Sequence, residues 1–329
     1  MKNRLQNPEQ RIMQRLILKS LYAFVLIKYP GMRNDLRYFI RDNYFCRLNQ
    51  LQFIVKDYLV RKQYKETDYQ GEFDQELRYV LPFAYWHHLN GTLKKTVSCK
   101  HTKAFYFFSE NHEERYAERI WEAGYDYYSV PNMTHSNSFS YKKWARVPLK
   151  KFYKNNQFVY AKPILIIANK YNVEWGNPPL NYLDIELLDK IVSKYKSRYQ
   201  VIYNRPLSTQ IVSDNSEVLD LNEHAWLRQT HPEVLLMNDL FTTYQSTVNS
   251  FNHLQLMVYA NCDRFISMHG GTAALASYFG GKNIILSNPS GGMEHHFNEY
   301  KTIFPALSGA TILHAKNREE VLKYLEELY

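Results

Sequence analysis

Cysteine is scarce in this chain: Cys46, Cys99 and Cys262 are scattered along 329 residues and form no CxxC pair. That excludes a disulfide framework and fits a reducing compartment. Long apolar runs are missing too. The most apolar N-terminal stretch, 16–29, falls short of the ~18–20 residues of a membrane span and contains Lys19 and Lys28. No signal-peptide cleavage pattern follows it, so a cytoplasmic location is expected. Several catalytic signatures are also absent: a GxxxxGK[ST] loop, a GxGxxG after the first strand of either half, and a GxSxG elbow. Their absence argues against P-loop phosphoryl transfer, nicotinamide chemistry and an α/β-hydrolase.

What is present is an ordinary globular composition, 45% hydrophobic and 22% charged, on a length that accommodates two domains. Aromatics are abundant, with 28 Tyr and 18 Phe, which suits aromatic-lined clefts. The net charge of +9 is unevenly placed: residues 1–65 hold 14 Lys/Arg against 4 Asp/Glu, leaving the rest near neutral. Arg11, Arg15 and Lys19 share one helical face, and Ile12, Leu16, Ile17, Leu21, Phe24 and Val25 supply much of the apolar surface. Two readings stand for this segment: a helix lying on an anionic membrane surface, or one packed on the body with a solvated basic face.

Along the chain, residues 1–65 are expected to be helical, with a break at Pro30 and Gly31, and 66–76 to form a polar loop. LRYVLPF (77–83) is expected as a strand, AYWHHLNG as a loop, TLKKTVSC (92–99) as a short helix, and KAFYFFS (103–109) as a second strand. A helix over 111–123 and a third strand over 125–130 complete a βαβαβ series. Residues 131–157 are expected as a loop or linker. A second series follows, with strands at 163–168, 199–203, 233–237, 263–268, 283–286 and 310–313. Its helices are expected over 183–198 and 253–260, and over 317–328, the last capped by Asn317.

The segment DRFISMHGGTAALASYFGGKNIILSNP (263–289) is the most informative. A buried apolar strand runs into His269, Gly270, Gly271 and Thr272, then a short helix closed by Gly280 and Gly281, then a further strand. Two glycines would let a ligand approach the backbone, and the amides at the helix start suit a phosphate. A plain tight turn is the alternative.

Two α/β halves joined near residue 160 imply two facing Rossmann-like domains with a cleft between them. That layout, with the HGGT turn and the stretch 287–296, resembles the GT-B glycosyltransferases. The resemblance implies three parts: a basic helical extension (1–65), an acceptor domain (66–158) and a nucleotide-sugar domain (159–329). It also implies that the nucleotide sugar is a co-substrate and that there is no separate cofactor. The donor diphosphate would meet the amides of Gly270, Gly271 and Thr272, with His269 on a phosphate or ribose. Asn169 and Lys170 follow one strand, and Arg205 follows another, where a cation could neutralise diphosphate charge. Ser287 and Asn288 open the loop after the next strand, in which Glu294 would hold sugar hydroxyls and His295 lies beside it. For the base, His88, His87 and Asp74 are candidates in the N-terminal half, with His88 slightly preferred; Glu72, Glu110 and His112 compete.

No DxD occurs, and Asp184, Ile185 and Glu186 come nearest, in an expected surface helix. Metal-independent transfer is therefore expected. A metal held by Glu294, His295 and His296 is disfavoured, because adjacent residues rarely all face one ion. The expected function is transfer of a sugar to a glycan or lipid-linked acceptor in surface polysaccharide synthesis, with inversion left open. Pyruvyl or other group transfer on the same fold is the alternative, as is a non-catalytic nucleotide- or sugar-binding protein. Nucleic-acid binding is disfavoured because the body outside the basic segment is near neutral.

Overall fold

The computed structural model describes residues 8–30, 36–120, 130, 141–174, 176–212, 216–289 and 297–329. It is an α/β protein with two parallel sheets. The first sheet holds β1 (Lys65–Asp68), β2 (Leu93–Cys99) and β3 (His112–Tyr116), in that spatial order. The second contains β4 (Ile164–Ala168), β6 (Gln200–Asn204), β8 (Leu235–Leu236), β9 (Arg264–Met268), β10 (Lys282–Leu286) and β11 (Thr311–Ala315). β5 (Asn172–Glu174) and β7 (Ser216–Val218) form a small antiparallel pair beside it.

The large sheet is ordered β11-β10-β9-β4-β6-β8 and every pairing within it is parallel. Renumbered within the sheet, this is the 3-2-1-4-5-6 order of doubly wound dinucleotide-binding sheets. Its strands are apolar without alternation because both faces are buried. Ile164, Ile166, Ile202, Phe265 and Ile285 pack into the core with the helices Phe251–Tyr259, Gly271–Ser277 and Phe297–Ser308. Leu165, Ile167, Val201, Ile266 and Ile284 face the helices Ile185–Tyr195 and Arg318–Leu328. The expected strands of this half are thus in place. At 233–237 only Leu235–Leu236 is strand, and Met237 already begins a helix. Asn317 caps the last helix, its side chain accepting from the Glu320 amide at 2.8 Å.

In the N-terminal half the expected elements are exchanged. Residues 76–89 are helical, a π-turn Glu76–Val80 leading into Leu81–Leu89, where a strand and loop were expected. Leu77, Tyr79, Val80, Leu81, Phe83 and Ala84 are all buried, and so are the charged Glu76 and Arg78, so this stretch is covered on every side and its sequence has no helical period to reveal it. TLKKTVSC contains β2 rather than a helix, KAFYFFS contains a 3₁₀ turn (Lys103–Tyr106), and the expected helix over 111–123 contains β3. β3 is an edge strand whose charges sit in cross-strand pairs, such as Lys95 with Glu113, which is why it reads as a charged helix. The expected loop 66–76 holds most of β1 and the helical turn Phe73–Gln75. In the expected linker, Val147, Leu149 and Tyr153 belong to the main core. The expected strand over 125–130 lies outside the described residues but for Val130.

At the N-terminus the helices Pro8–Lys28 and Leu36–Ile40 share a small core of Val25, Leu36, Phe39 and Ile40. No helix among the described residues is long and apolar enough to cross a membrane.

Candidate functional site

The strand order of the large sheet reverses between β4 and β9, which are hydrogen-bonded neighbours. The chain leaves β4 toward β6 on one side and leaves β9 toward β10 on the other. The diverging loops open a crevice at the carboxyl ends of the strands, where such sheets bind ligands. Lys170 follows β4 on one side of it, and His269 and Gly270 follow β9 on the other.

Each predicted residue can now be placed. Gly270 takes a φ of 98°, a conformation glycine adopts without steric cost. The Nζ of Lys170 lies 3.9 Å from where a Cβ on Gly270 would stand, so the cation sits over this turn. Gly271 faces packing rather than open space: a Cβ there would come within 2.8 Å of the Phe73 ring. The Thr272 hydroxyl turns back on its own strand, donating to the Met268 carbonyl at 2.5 Å and accepting from the Met268 amide at 3.2 Å. The segment's glycines therefore serve two ends, one toward the crevice and one toward Phe73.

His269 is half-buried, and two hydroxyls converge on its Nδ1, those of Tyr300 and of Ser287 at 3.3 Å. Tyr300 is buried, which raises its pKa far above the ordinary phenol value and keeps its proton in place. With the Tyr300 proton held in place, Nδ1 accepts from that phenol in the tautomer that carries the ring proton on Nε2. Ser287 is itself held by its amide on the Ala315 carbonyl at 2.9 Å, and its carbonyl lies 3.0 Å from Nε2 of His314. The Asn288 amide donates to Oδ1 of Asn181 at 2.7 Å, tying the loop after β10 to the loop after β4.

Asn169 and Arg205 are turned inward. Asn169 is fully buried and donates to the Leu183 carbonyl and the Tyr203 hydroxyl while accepting from the Leu183 amide, all within 3.0 Å. It holds the loop that carries Lys170. Arg205 is buried against Glu223 in a two-pronged ion pair and donates to the Leu219 carbonyl at 3.0 Å. Burial alone would lower its pKa, and Glu223 more than reverses that. Both side chains are committed to their own half of the chain. Glu294 and His295 lie outside the described residues.

Of the candidate bases, Asp74 and Glu72 flank Phe73 near the crevice, and Glu72 accepts from the Gln75 side chain at 2.9 Å. The turn that begins at Phe73 docks on Gly271, and Asp74 pairs with the buried Arg78, which also pairs with Glu299 and donates to the Tyr79 hydroxyl at 3.0 Å. Burial works against the Arg78 charge, and the two carboxylates outweigh it. Their charges also reach the Tyr300 phenol. This links Asp74 to the His269 side of the crevice.

His87 and His88, expected at the rim, lie at the other end of that helix. It runs from the carboxyl end of β1 to the amino end of β2, so at ~1.5 Å per residue His88 stands roughly 20 Å along from Phe73. His88 is exposed and stacks on Tyr85 at 5.7 Å. His87 is buried, with Nδ1 at 2.7 Å from the Thr92 hydroxyl, and burial drops its pKa to about 2. Neither is placed for base catalysis at the crevice. His112 bonds the Thr96 hydroxyl at 2.8 Å, and burial lowers its pKa to about 4.

The sequence reading passed over Tyr300, Arg78, Glu299 and Phe73. Tyr300 closes the SNPSGGMEHHFNEY stretch singled out for Glu294, and its distance from His269 in sequence hid the pairing. Among the described residues, no group of three or more His, Cys, Asp or Glu side chains is placed to hold a metal ion. No protein-family model, no curated protein and no solved structure matches the chain.

Proposed function

We propose that this chain is a glycosyltransferase of the GT-B kind, moving a sugar from a nucleotide-sugar donor to a glycan or lipid-linked acceptor in surface polysaccharide synthesis. Residues 159–329 would form the donor domain, 66–158 the facing acceptor domain and 1–65 the helical extension. The observation that carries the reading is the reversal of strand order between β4 and β9, with Lys170, Gly270 and His269 gathered at that point. A cation over a glycine turn suits a diphosphate, and a histidine with its proton on Nε2 can donate to a phosphate or ribose oxygen. Ser287 and Asn288 continue the same wall. We place the reaction in a reducing, cytoplasmic setting, which the free cysteines support.

In the proposed reaction the acceptor oxygen forms a bond to the anomeric carbon as the bond from that carbon to the diphosphate breaks. The electron pair leaves with the diphosphate, whose charge Lys170 neutralises without metal. The acceptor proton passes to a carboxylate, for which Asp74 is the candidate. Inversion and retention both fit this description.

Thermal unfolding with a panel of nucleoside diphosphates and nucleotide sugars, with and without EDTA, tests the reading. A ligand at about 100 times its Kd adds roughly 2.7 kcal/mol to stability. One nucleotide class should stabilise the protein regardless of EDTA, and Lys170→Ala should remove most of that shift while leaving the unliganded midpoint in place. If no nucleotide stabilises the protein, the proposal fails; a shift with phosphoenolpyruvate alone would favour pyruvyl transfer.

A further inference from the structure

The first helix, Pro8–Lys28, buries one apolar face and exposes another. Leu18, Leu21, Tyr22, Val25 and Leu26 form the stripe that packs into the small N-terminal core. Outside that stripe Leu16, Ile17, Phe24 and Ile27 are 55–83% exposed. At ~100° per residue, Ile17 and Phe24 lie about a quarter-turn from Val25, while Leu16 and Ile27 lie nearly opposite it, so the four form one continuous exposed side. A soluble helix normally has a polar outer face, and one apolar all round is covered. The pattern recurs further on. In the helical stretch 46–60, Leu48, Leu51, Val55 and Leu59 follow helical spacing and are 55–76% exposed. Most of the large exposed apolar side chains of the described residues fall in these two stripes and beside them.

Among the described side chains, the exposed charges around the stripes have one sign. Lys19, Lys28, Arg47, Lys56, Arg61 and Lys62 are all exposed. Of the carboxylates between residues 16 and 62, the one with a described side chain is Asp57, buried under Lys143 and the Tyr64 hydroxyl. Like charge opposes a second copy of this chain on the same face. Exposed aliphatic and aromatic side chains flanked by lysine and arginine match the boundary of an anionic bilayer, where apolar groups enter the acyl layer and cations meet phosphates.

We propose that the helices within 8–28 and 46–60, with their flanking cations, dock the protein on the surface of an anionic lipid bilayer, without crossing it. This stands apart from the glycosyltransferase reading: it needs no nucleotide and no turnover.

Sedimentation of the full chain with vesicles tests it, using phosphatidylcholine alone and phosphatidylcholine with phosphatidylglycerol. The protein should pellet with the anionic vesicles and stay in solution with the neutral ones. Raising salt from ~0.1 M to ~1 M, which shortens the screening length from ~10 Å to ~3 Å, should release it. Lys19→Glu with Arg47→Glu and Lys62→Glu should weaken partition at least about tenfold. Phe24→Ser with Ile27→Ser should weaken it at unchanged charge, and these exposed sites allow a normal thermal midpoint to confirm folding. Equal binding to both vesicle types, or none to the anionic ones, overturns the proposal. So does concentration-dependent self-association that is lost in the Phe24→Ser, Ile27→Ser variant, which would assign the face to a second copy.

Discussion

Gly271 shows how a single residue can be legible in type and hidden in purpose. A glycine before a short helix reads as an opening for phosphate, yet the space where its Cβ would stand is filled by the Phe73 ring. Gly271→Ala should therefore destabilise the fold by about 1–3 kcal/mol through overpacking. Phe73→Leu in the same background should restore part of the loss, a coupling that urea unfolding of the four-member cycle would measure. An additive cycle would mean that the ring yields freely. His87 gives a second test at this scale. Its folded pKa is lowered to about 2, so the unfolded chain binds the extra proton between the ordinary value of 6.5 and that limit. Stability is present above pH 6.5 and is lost as pH falls, by up to about 1.4 kcal/mol per unit. His112, lowered to about 4, adds to the loss over the upper part of the same window. Urea midpoints against pH should fall less steeply for His87→Gln than for the parent; identical slopes would show that the acid loss arises elsewhere.

Elements divide cleanly by how much of them their sequence shows. PILIIA and FISM read as strands because β4 and β9 are covered on both faces, so a short, mostly apolar run has one good solution. The last helix was equally plain, with Asn317 bonded to the Glu320 amide as its spacing implies. Asn317→Ala should cost about 1 kcal/mol, read as a lowered urea midpoint at unchanged slope. The N-terminal half misleads because its polarity is reversed. The helix Leu81–Leu89 is wrapped in core, while β2 and β3 carry Lys94, Lys95, Glu113 and Arg115 on a small sheet with open edges. Local propensity follows polarity there, and tertiary packing overrides it. Alternation of helix and strand survived the exchange, so the class could be read where the elements could not. For the site, Lys170 and His269 were legible from their place after buried strands. Their partners were not, since Tyr300 and Phe73 reach the crevice from distant segments.

Across the whole molecule, one core cluster runs from Leu77 through Val147 and Phe158 to Tyr300. The crevice floor is built from both ends of that span. Phe73 lies on Gly271, the Tyr278 hydroxyl donates to the Leu77 carbonyl, and Arg78 pairs with Glu299. Arg119 adds a bond from its buried guanidinium to the Val212 carbonyl at 3.2 Å. Separating helix 73–89 from the helix Phe297–Ser308 would break the Arg78–Glu299 pair, while Asp74, on the same helix as Arg78, would stay with it. If the crevice takes a ligand as proposed, exchange is a matter of traffic over its rim, and on- and off-rates should follow substitutions at Lys170 and Asn288 rather than at the helices packed beneath them.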